Sequence, residues 1–232
     1  MILAVMQPYF LPHPGYFQLL AAADKFVVFD DVAFITRGWI NRNRILLNGC
    51  EQRFTIPLQR ASQNRLIREI ELVADRPWRD DLLKTFWQAY RRAPHFEEFF
   101  PVLRAIVACE ETNLAAYLLH GLRQISGYLG LQAEIIPTSY VYRNGELKGE
   151  ERILDICRRE TADTYLNAIG GTELYTASKF AERGIELRFV KPFSLGESEA
   201  DRVSETFSIV HALMHLPRGH LKSALSSATP SP

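Results

Sequence analysis

The sequence predicts an α/β fold: a Rossmann-like, mostly parallel sheet with a β-hairpin and a helical insertion. Short apolar runs alternate with helical periodicity in both halves of the chain, which is typical of parallel strands joined by crossover helices. Between these halves, residues 78–130 show helical periodicity alone and indicate an insertion or a lid. A length of 232 residues with a hydrophobic fraction of 47% favours a single domain, predicted at residues 1–222.

The first half predicts a strand, a loop, a helix and a second strand. Residues 2–6 are a short apolar run, as expected for a strand covered on both faces. Residues 7–15 contain three prolines and a glycine, which exclude regular structure and predict a fixed loop. A helix is expected from residue 16, and residues 26–29 predict the second buried strand.

A hairpin and a further strand follow. Asn48 and Gly49 form a strong turn signal between the predicted strands at residues 45–47 and 53–58. Residues 67–73 alternate imperfectly between apolar and polar side chains and predict another strand.

The rest of the chain is helical at first and then alternates again. Predicted helices of the insertion are residues 80–92, 96–107 and 114–129, and Gly130 is suited to end the last of them. Predicted strands then occupy residues 134–141, 164–169 and 185–190. Predicted helices occupy residues 150–159, 177–183 and 208–216. Residues 223–232 are rich in Ser, Ala and Pro and predict a disordered tail.

Composition narrows the functional class. Lys plus Arg and Asp plus Glu are balanced at 27 each, which disfavours nucleic acid as a partner and gives no bulk attraction to membranes. The three cysteines are widely spaced, which predicts neither a disulfide framework nor a zinc site, and no metal site is predicted. Without a signal peptide or an apolar run long enough to span a bilayer, we expect a cytoplasmic protein.

The loop at residues 7–15 is the first candidate site, because a loop between a strand and a helix can present backbone amides to a phosphate. The candidate phosphate-binding residues here are Gln7, Tyr9, Gly15 and Tyr16. His13 is a candidate acid or base, since imidazole titrates near neutral pH. The alternatives are a rigid structural corner and a solvated histidine. There is no GxGxxG or Walker A motif.

Asp30 and Asp31 follow the second predicted strand, at the edge of an α/β sheet where ligands bind. Carboxylates there could hold Mg²⁺ or orient a substrate hydroxyl or amine. We assign Asp31 a catalytic role together with His13, and Asp30 a role in binding. The alternatives are a helix cap and a structural partner for nearby arginines.

Residues 37–44 form the most specific polar cluster. Arginine side chains bind phosphate or carboxylate bidentately, and a neighbouring indole offers a stacking face for a base or a sugar. The candidate binding residues of this cluster are Arg37, Trp39, Asn41, Arg42, Asn43 and Arg44.

The segment at residues 167–175 is predicted to form the opposite wall of the same cleft. Asn167 ends a predicted strand, and Gly170 and Gly171 would allow a ligand to approach the backbone closely. Lys148 and Arg152 are predicted to add donors from the adjoining loop and helix. The alternative for these two cations is surface salt bridging.

Several segments together resemble the WbqC-like family, in order from residue 7 to residue 214. They read QPYFLP, GYFQL, ADKFVVFDDV, RGWINRNRI, FTIPL, AYRRAPHF, ERILDICR, YLNAIGGTELY and KF followed by GIELRFV. The resemblance implies a bacterial cytoplasmic protein, of a kind often encoded with genes for surface-polysaccharide biosynthesis of the O-antigen type. The chain departs from the family pattern at His211, where an acidic residue is expected, and in the loop at residues 196–201.

A weaker similarity at the level of the fold concerns nucleotidylyltransferases and pantothenate-synthetase-like domains. Their loop carries H-x-G-H under the phosphates of ATP. His13 and Gly15 match the first histidine and the glycine, whereas Tyr16 replaces the second histidine. This similarity implies ATP and Mg²⁺ as candidate cofactors, which the sequence does not identify by itself.

The predicted function is that of a transferase or ligase that modifies surface polysaccharides or sugar nucleotides, by activating an acyl or aminoacyl group or transferring it to an amino sugar. The expected partner is a small molecule, a nucleotide or a sugar nucleotide. The alternative is a non-catalytic protein that binds a nucleotide or a glycan. The sequence predicts no particular oligomeric state.

Overall fold

A computed structural model describes residues 1–74, 77–195 and 205–227. The strands are β1 Ile2–Met6, β2 Lys25–Val28, β3 Arg42–Leu47, β4 Cys50–Thr55, β5 Leu58–Gln59, β6 Glu71–Leu72, β7 Glu134–Ile136, β8 Thr164–Ala168 and β9 Glu186–Val190. The helices are α1 Pro14–Ala22, α2 Trp78–Tyr90, α3 Phe96–Val107, α4 Leu114–Leu129, α5 Gly149–Arg159, α6 Ala177–Ala181, α7 Ile209–His215 and α8 Arg218–Ser226.

The central sheet has five parallel strands in the order β7-β2-β1-β8-β9, which confirms the predicted α/β fold. β1 lies in the middle, where Ala4 is in register with Phe26 of β2 and Leu166 of β8. From β1 the chain continues through α1 to β2 on one side, and from β8 it continues through α6 to β9 on the other. The carboxyl ends of β1 and β8 therefore flank the topological switch point of the sheet.

Both faces of the sheet are covered, because alternate side chains of each strand point to opposite faces. Ala4, Phe26 and Leu166 belong to the larger buried cluster, which also includes residues of α1 and the insertion. Leu3 and Val27 belong to the second cluster, which includes residues of α5 and α6. Continuous apolar runs such as the one in β1 are expected for strands buried on both faces.

The hairpin and the helical insertion complete the larger cluster. β3 and β4 pair in antiparallel register around Asn48 and Gly49, whose φ angles of 51° and 79° allow a tight turn. Phe54 of β4 packs edge-on against Phe86 of α2 at a centroid distance of 5.1 Å. The helical prediction for residues 78–130 is confirmed, but these helices share one core with the sheet. Their role as a lid stays a prediction.

Three predicted strands are wrong over part of their length. The strand predicted at residues 53–58 ends at Thr55, and Leu58 belongs to the separate strand β5. Residues 67–73 form a 3₁₀ turn, Ile67–Glu69, followed by the two-residue β6. The strand predicted at residues 134–141 ends at Ile136, because the Thr138 hydroxyl accepts a hydrogen bond from the Tyr140 amide and starts the 3₁₀ turn Ser139–Tyr142. In the last two places a local hydrogen bond competes with strand pairing.

The disordered tail predicted at residues 223–232 is wrong for its first four residues, which belong to α8. Leu221 and Leu225 of this helix are fully buried in the larger cluster, and this burial explains the extra helical turn. Residues 228–232 and the loop at residues 196–201 lie outside the described residues. No helix in the described part of the chain is long and apolar enough to cross a bilayer.

Candidate functional site

The candidate site lies along the carboxyl edge of the parallel sheet. The loop at residues 7–15 follows β1, and the segment at residues 167–175 follows β8, its neighbour in the sheet. Asp30 and Asp31 come directly after β2, on the other side of β1. Open α/β sheets bind ligands at such a switch point. Two separate cavities open along this edge.

The first cavity, called the Trp39 cavity here, has a volume of about 230 Å³. It brings together residues from the loop after β1, the segment before the hairpin, β3 and the segment before α7. Its lining residues are Tyr9, Pro12, His13, Trp39, Asn43, Arg44 and Thr206. Five of the predicted site residues thus share one cavity, although the sequence places them in two segments.

Hydrogen bonds to neighbouring elements fix the loop at residues 7–15. The Phe10 amide donates to the carbonyl of Ile40 at 2.9 Å. The carbonyl of Leu11 accepts from Nδ2 of Asn43 at 2.7 Å and from the hydroxyl of Ser208 at 2.7 Å. The proline-rich loop is therefore held between the hairpin and the start of α7.

His13 and Gly15 form a second local arrangement in this loop. A Cβ atom added to Gly15 would lie 2.8 Å from Cε1 of His13, so the missing side chain provides the space for the imidazole. The ring has solvent-exposed surface, yet burial of its inner side lowers the pKa of His13. The imidazole is consequently neutral at pH 7 and can accept a proton. Gly15 accommodates His13 rather than leaving its own backbone open to a ligand.

Arg44 is held in place by three neighbours. Its guanidinium lies 5.8 Å from the centroid of the Trp39 ring and 5.4 Å from that of the Phe207 ring. Nη1 donates to Oε2 of Glu51 on β4 at 2.8 Å. The indole of Trp39 itself is 47% exposed. An ordered arginine beside an exposed aromatic face is suited to a ligand that combines an anion with a ring.

The remaining polar residues of the hairpin segment have other environments. Asn41 is buried, and its side-chain amide donates to the carbonyl of Ile56 at 2.8 Å, so it holds the strand in place. Arg42 is half-buried, and its Nε has no hydrogen-bond partner among the described residues. Arg37 is exposed and has a φ of 64°. None of these three side chains lines the Trp39 cavity.

A buried ion pair connects α5 with the end of β2. Nη2 of Arg152 lies 2.5 Å from Oδ2 of Asp31, and Nη1 donates to the Asp31 carbonyl at 3.2 Å. The other carboxylate oxygen of Asp31 accepts from the hydroxyl of Ser139. Asp30 accepts from the Thr138 hydroxyl at 2.7 Å and from the Ser139 amide at 3.1 Å. The residues after β7 thus hold both carboxylates.

Further hydrogen bonds orient the guanidinium of Arg152. Its Nε donates to Oδ1 of Asn144 at 3.0 Å, and Nδ2 of Asn144 donates to Oδ2 of Asp155 at 2.8 Å. Ser139, Asn144 and Asp155 were not among the predicted site residues. The available signal was the spacing of Asp155, which lies three residues after Arg152 and hence near it on the helix surface.

These contacts decide how well the carboxylates fit a magnesium ion. Burial is the largest influence on Asp30 and raises its pKa, whereas the hydrogen bond from Thr138 lowers it. Both oxygens of Asp31 are engaged by Arg152 and Ser139. Within the described residues, no group of three or more His, Cys, Asp or Glu side chains is arranged around a common point. The carboxylates therefore do not fit a Mg²⁺ site.

The second cavity, called the Asp31 cavity here, has a volume of about 460 Å³. It contains three predicted site residues, namely Asp31, Lys148 and Arg152. The other lining residues are Phe29, Val32, Ala33, Leu66, Gly145, Leu147, Gly149, Glu150, Ile153, Leu174 and Tyr175.

Other predicted residues line neither cavity. Asn167 is buried, and its Oδ1 accepts from the Ala168 amide at 2.7 Å. A Cβ atom on Gly171 would lie 2.6 Å from Nδ2 of Asn167, so Gly171 provides space for the Asn167 side chain. Gly170 is exposed, and no atom lies within 4 Å of a Cβ added to it. The remaining two residues, Gln7 and Tyr16, are joined by a hydrogen bond of 2.9 Å from the Tyr16 hydroxyl to the Gln7 carbonyl.

Comparison with known proteins assigns the chain to a family. The model of the WbqC-like protein family matches residues 7–222, which is most of the sequence. The chain belongs to the WbqC-like protein family. A relative from Mycobacterium tuberculosis, named "Uncharacterized protein Rv1507c", is 30% identical over 190 residues, which cover 79% of each chain. No solved structure matches this WbqC-like protein.

In this WbqC-like protein His211, at the position where an acidic residue was expected, lies in the core. His211 is 7% exposed, and its ring stacks on His215 at a centroid distance of 4.2 Å. Its Nδ1 lies 3.4 Å from the hydroxyl oxygen of Tyr90. Burial, followed by the proximity of His215, lowers the pKa of His211 to about 4. His211 lines neither cavity, and its described partners are those of a buried packing residue.

Proposed function

We propose that this WbqC-like protein is a cytoplasmic enzyme that modifies bacterial surface polysaccharides of the O-antigen type, or the sugar nucleotides from which they are built. It binds the nucleotide part of an amino-sugar nucleotide in the Trp39 cavity. A carboxylic acid is activated by ATP as an acyl adenylate with release of pyrophosphate, and its acyl or aminoacyl group is then transferred to the amine, with AMP as the leaving group and loss of one proton. The observation that carries this proposal is the convergence of Tyr9, His13, Trp39 and Arg44 on one cavity beyond β1.

The chemistry of the cavity suits a nucleotide. The exposed face of Trp39 allows a base or sugar ring to stack. Arg44 offers charge-assisted hydrogen bonds to a phosphate, and its contacts with Trp39 and Glu51 reduce the entropy lost when it binds.

His13 is the candidate base for the transfer. An amine attacks an acyl carbon only after it has lost a proton, and a neutral imidazole can accept that proton. The lowered pKa of His13 keeps its ring neutral at pH 7. Asp31 was also assigned a catalytic role, but Arg152 and Ser139 engage both of its carboxylate oxygens. We therefore favour His13 for the proton and Asp31 for positioning.

The binding step is tested by a thermal-shift panel of nucleotides and sugar nucleotides, measured with and without Mg²⁺. A ligand present at a hundred times its dissociation constant stabilises the protein by about 2.7 kcal/mol. We expect Trp39→Ala and Arg44→Ala to remove the shift. Arg53→Ala is the matched control, since Arg53 also pairs with Glu51 but is 72% exposed and lines neither cavity. If no nucleotide shifts the wild-type protein, the proposal fails.

A turnover assay separates the enzyme from a non-catalytic nucleotide- or glycan-binding protein, which would use the same cavity. The assay supplies the bound amino-sugar nucleotide, candidate carboxylic acids and ATP, and follows both the acylated product and pyrophosphate. An enzyme forms product and loses most of its activity in His13→Ala while binding persists. A binding protein forms no product under any of these conditions.

A further inference from the structure

Exposed apolar side chains are concentrated near the carboxyl edge of the sheet. Those of Ile169 and Leu174, in the segment after β8, are 46% and 67% exposed. Further large apolar side chains exposed in the loops at this edge are Ile35, Trp39, Tyr140 and Val141. Trp87 on α2 is the remaining large apolar residue exposed to this degree in the described ranges. An apolar surface concentrated at one edge indicates a binding region.

The Asp31 cavity provides a compact apolar space in this region. Its volume of about 460 Å³ lies within the range of small-molecule sites. Most of its lining comes from side chains without charge, among them Phe29, Leu66, Leu174 and Tyr175. Such a lining favours a ligand with an apolar body over a fully polar one such as a free sugar.

The charges around the Asp31 cavity are balanced except at Lys148. Asp31 is neutralised by Arg152, and Glu150 by Lys179, whose Nζ lies 2.7 Å from Oε2 of Glu150. Lys148 is exposed, lines the cavity and has no ion pair within the described residues. The unbalanced charge of the lining is therefore positive, and it complements an anionic group on a ligand.

Arg152 supplies further donors on the same cavity. A guanidinium has five N–H groups. Three of these donate hydrogen bonds, one to Asn144 and two to Asp31. The other two N–H groups have no described partner. The side chain is 6% exposed, so its position is fixed by the surrounding protein. A carboxylate, like a phosphate, matches such planar donors.

We infer that the Asp31 cavity binds a carboxylate that carries a compact apolar group, with its anionic head recognised by Lys148 and its apolar body packed against Leu174 and Tyr175. Two sources share this chemistry, a simple branched or linear acid and an α-amino acid with an apolar side chain. The role of this ligand as the acyl donor rests on the proposed function. Its binding does not, because the Trp39 cavity has a different lining.

The inference is tested by calorimetric titration of the full chain, without nucleotide, with three matched probes. 4-Methylpentanoate and L-leucine share one side chain and differ in the ammonium group, and 4-methylpentanol lacks the carboxylate. We expect at least one of the two carboxylates to bind. The alcohol should bind more weakly by a factor of about ten or more. The preferred carboxylate identifies the source as an acid or an amino acid.

Variants locate the binding in the cavity. Lys148→Gln should weaken the preferred carboxylate about tenfold, and Leu174→Asp should abolish its binding. Both side chains are exposed, so folding is preserved. Lys84→Gln on α2 is the matched control and should bind as the wild type does. Failure of both carboxylates to bind, equal binding of the alcohol, or insensitivity to Lys148→Gln would overturn the inference. A carboxylate that binds to a protein without nucleotide affinity would overturn only the proposed function.

Discussion

Arg152 on α5 and Asp31 beyond β2 form an ion pair in which Nη2 and Oδ2 are 2.5 Å apart and the side chains are 6% and 5% exposed. The pair joins the start of α5 to the end of β2, although Arg152 follows Asp31 by 121 residues in the chain. Burying two charges costs solvation free energy, which such a pair recovers only with good geometry and further hydrogen bonds. Ser139 and Asn144 provide those bonds.

We expect Arg152→Met to lower the free energy of unfolding by about 3–5 kcal/mol, because it leaves the carboxylate of Asp31 buried without a partner. Adding Asp31→Asn should recover part of this loss, since the buried charge is then removed. Urea denaturation measures both effects. Arg158→Met on the same helix is the control, with an expected change below about 1 kcal/mol because Arg158 is 75% exposed. Equal losses in the two single variants would contradict a structural role of the pair.

Gly15→Ala tests the arrangement of His13. The new Cβ would collide with the imidazole, so we expect the ring to move towards solvent and the pKa of His13 to rise towards its ordinary value. Stability should be unchanged or slightly higher, since Ala is favoured over Gly by up to about 1 kcal/mol in helices. NMR titration of the histidine ring protons measures the pKa. Gly127→Ala, where no atom lies within 4 Å of the new Cβ, should leave this titration unaltered.

His211 makes the stability of the protein depend on pH. Its pKa is about 4 in the folded chain, while an unfolded histidine titrates near 6.5. Between these values the unfolded state binds the extra proton, so stability falls as the pH is lowered from 7 to 4. The contribution amounts to roughly 3 kcal/mol over this interval.

Replacing His211 by a residue that does not titrate should make the free energy of unfolding depend less on pH. We expect the difference in unfolding free energy between pH 7 and pH 4 to be smaller in His211→Asn than in the wild type, as measured by denaturation at a series of pH values. His220→Asn is the control, because His220 is exposed on α8. A variant with the slope of the wild type would show that other groups cause the acid sensitivity.

Ser208 is the N-cap of α7 and also holds the loop at residues 7–15. Its hydroxyl oxygen accepts a hydrogen bond from the Val210 amide at 3.3 Å, and its O–H group donates one to the Leu11 carbonyl at 2.7 Å. We expect Ser208→Ala to lower the free energy of unfolding by about 1–2 kcal/mol. Ser178→Ala, at an exposed position of α6, should change it by less than about 0.5 kcal/mol. Thermal denaturation of the two variants makes the comparison, and equal melting temperatures would refute the cap.

The sheet could be predicted from sequence because its strands are short apolar runs, which local pattern alone identifies. The errors occurred where side chains override strand propensity. Thr138 looked like a strand residue, but its hydroxyl starts a 3₁₀ turn that carries Ser139 to the two carboxylates. Leu221 and Leu225 sit near the start of a polar, low-complexity segment, and only the fold reveals the core into which they pack.

The types of residue in the site could be predicted from the sequence, but not which of those residues line the same cavity. Tyr9 and Trp39 lie thirty residues apart, and pattern analysis could not tell that both line one cavity. It also could not separate Asn41, whose amide is occupied by the Ile56 carbonyl, from Arg44, whose side chain faces the cavity. Asn41 lies just before β3 and Arg44 within it, so the alternation of strand side chains does not decide which of the two faces the cavity.

The position of β1 in the middle of the sheet has a consequence for how the protein folds. Ile2 is in register with Thr164, so β1 can pair with β8 only when a segment more than 150 residues further along the chain has reached it. Contacts so distant along the chain slow folding, because the entropy of closing the loop is lost before the strands pair. We therefore expect the segment at residues 167–175 to reach the loop at residues 7–15 late in folding, after β1, α1 and β2 have associated. A partly folded chain would then already contain the residues of the Trp39 cavity that precede β4, while its β1 edge remains open to other strands.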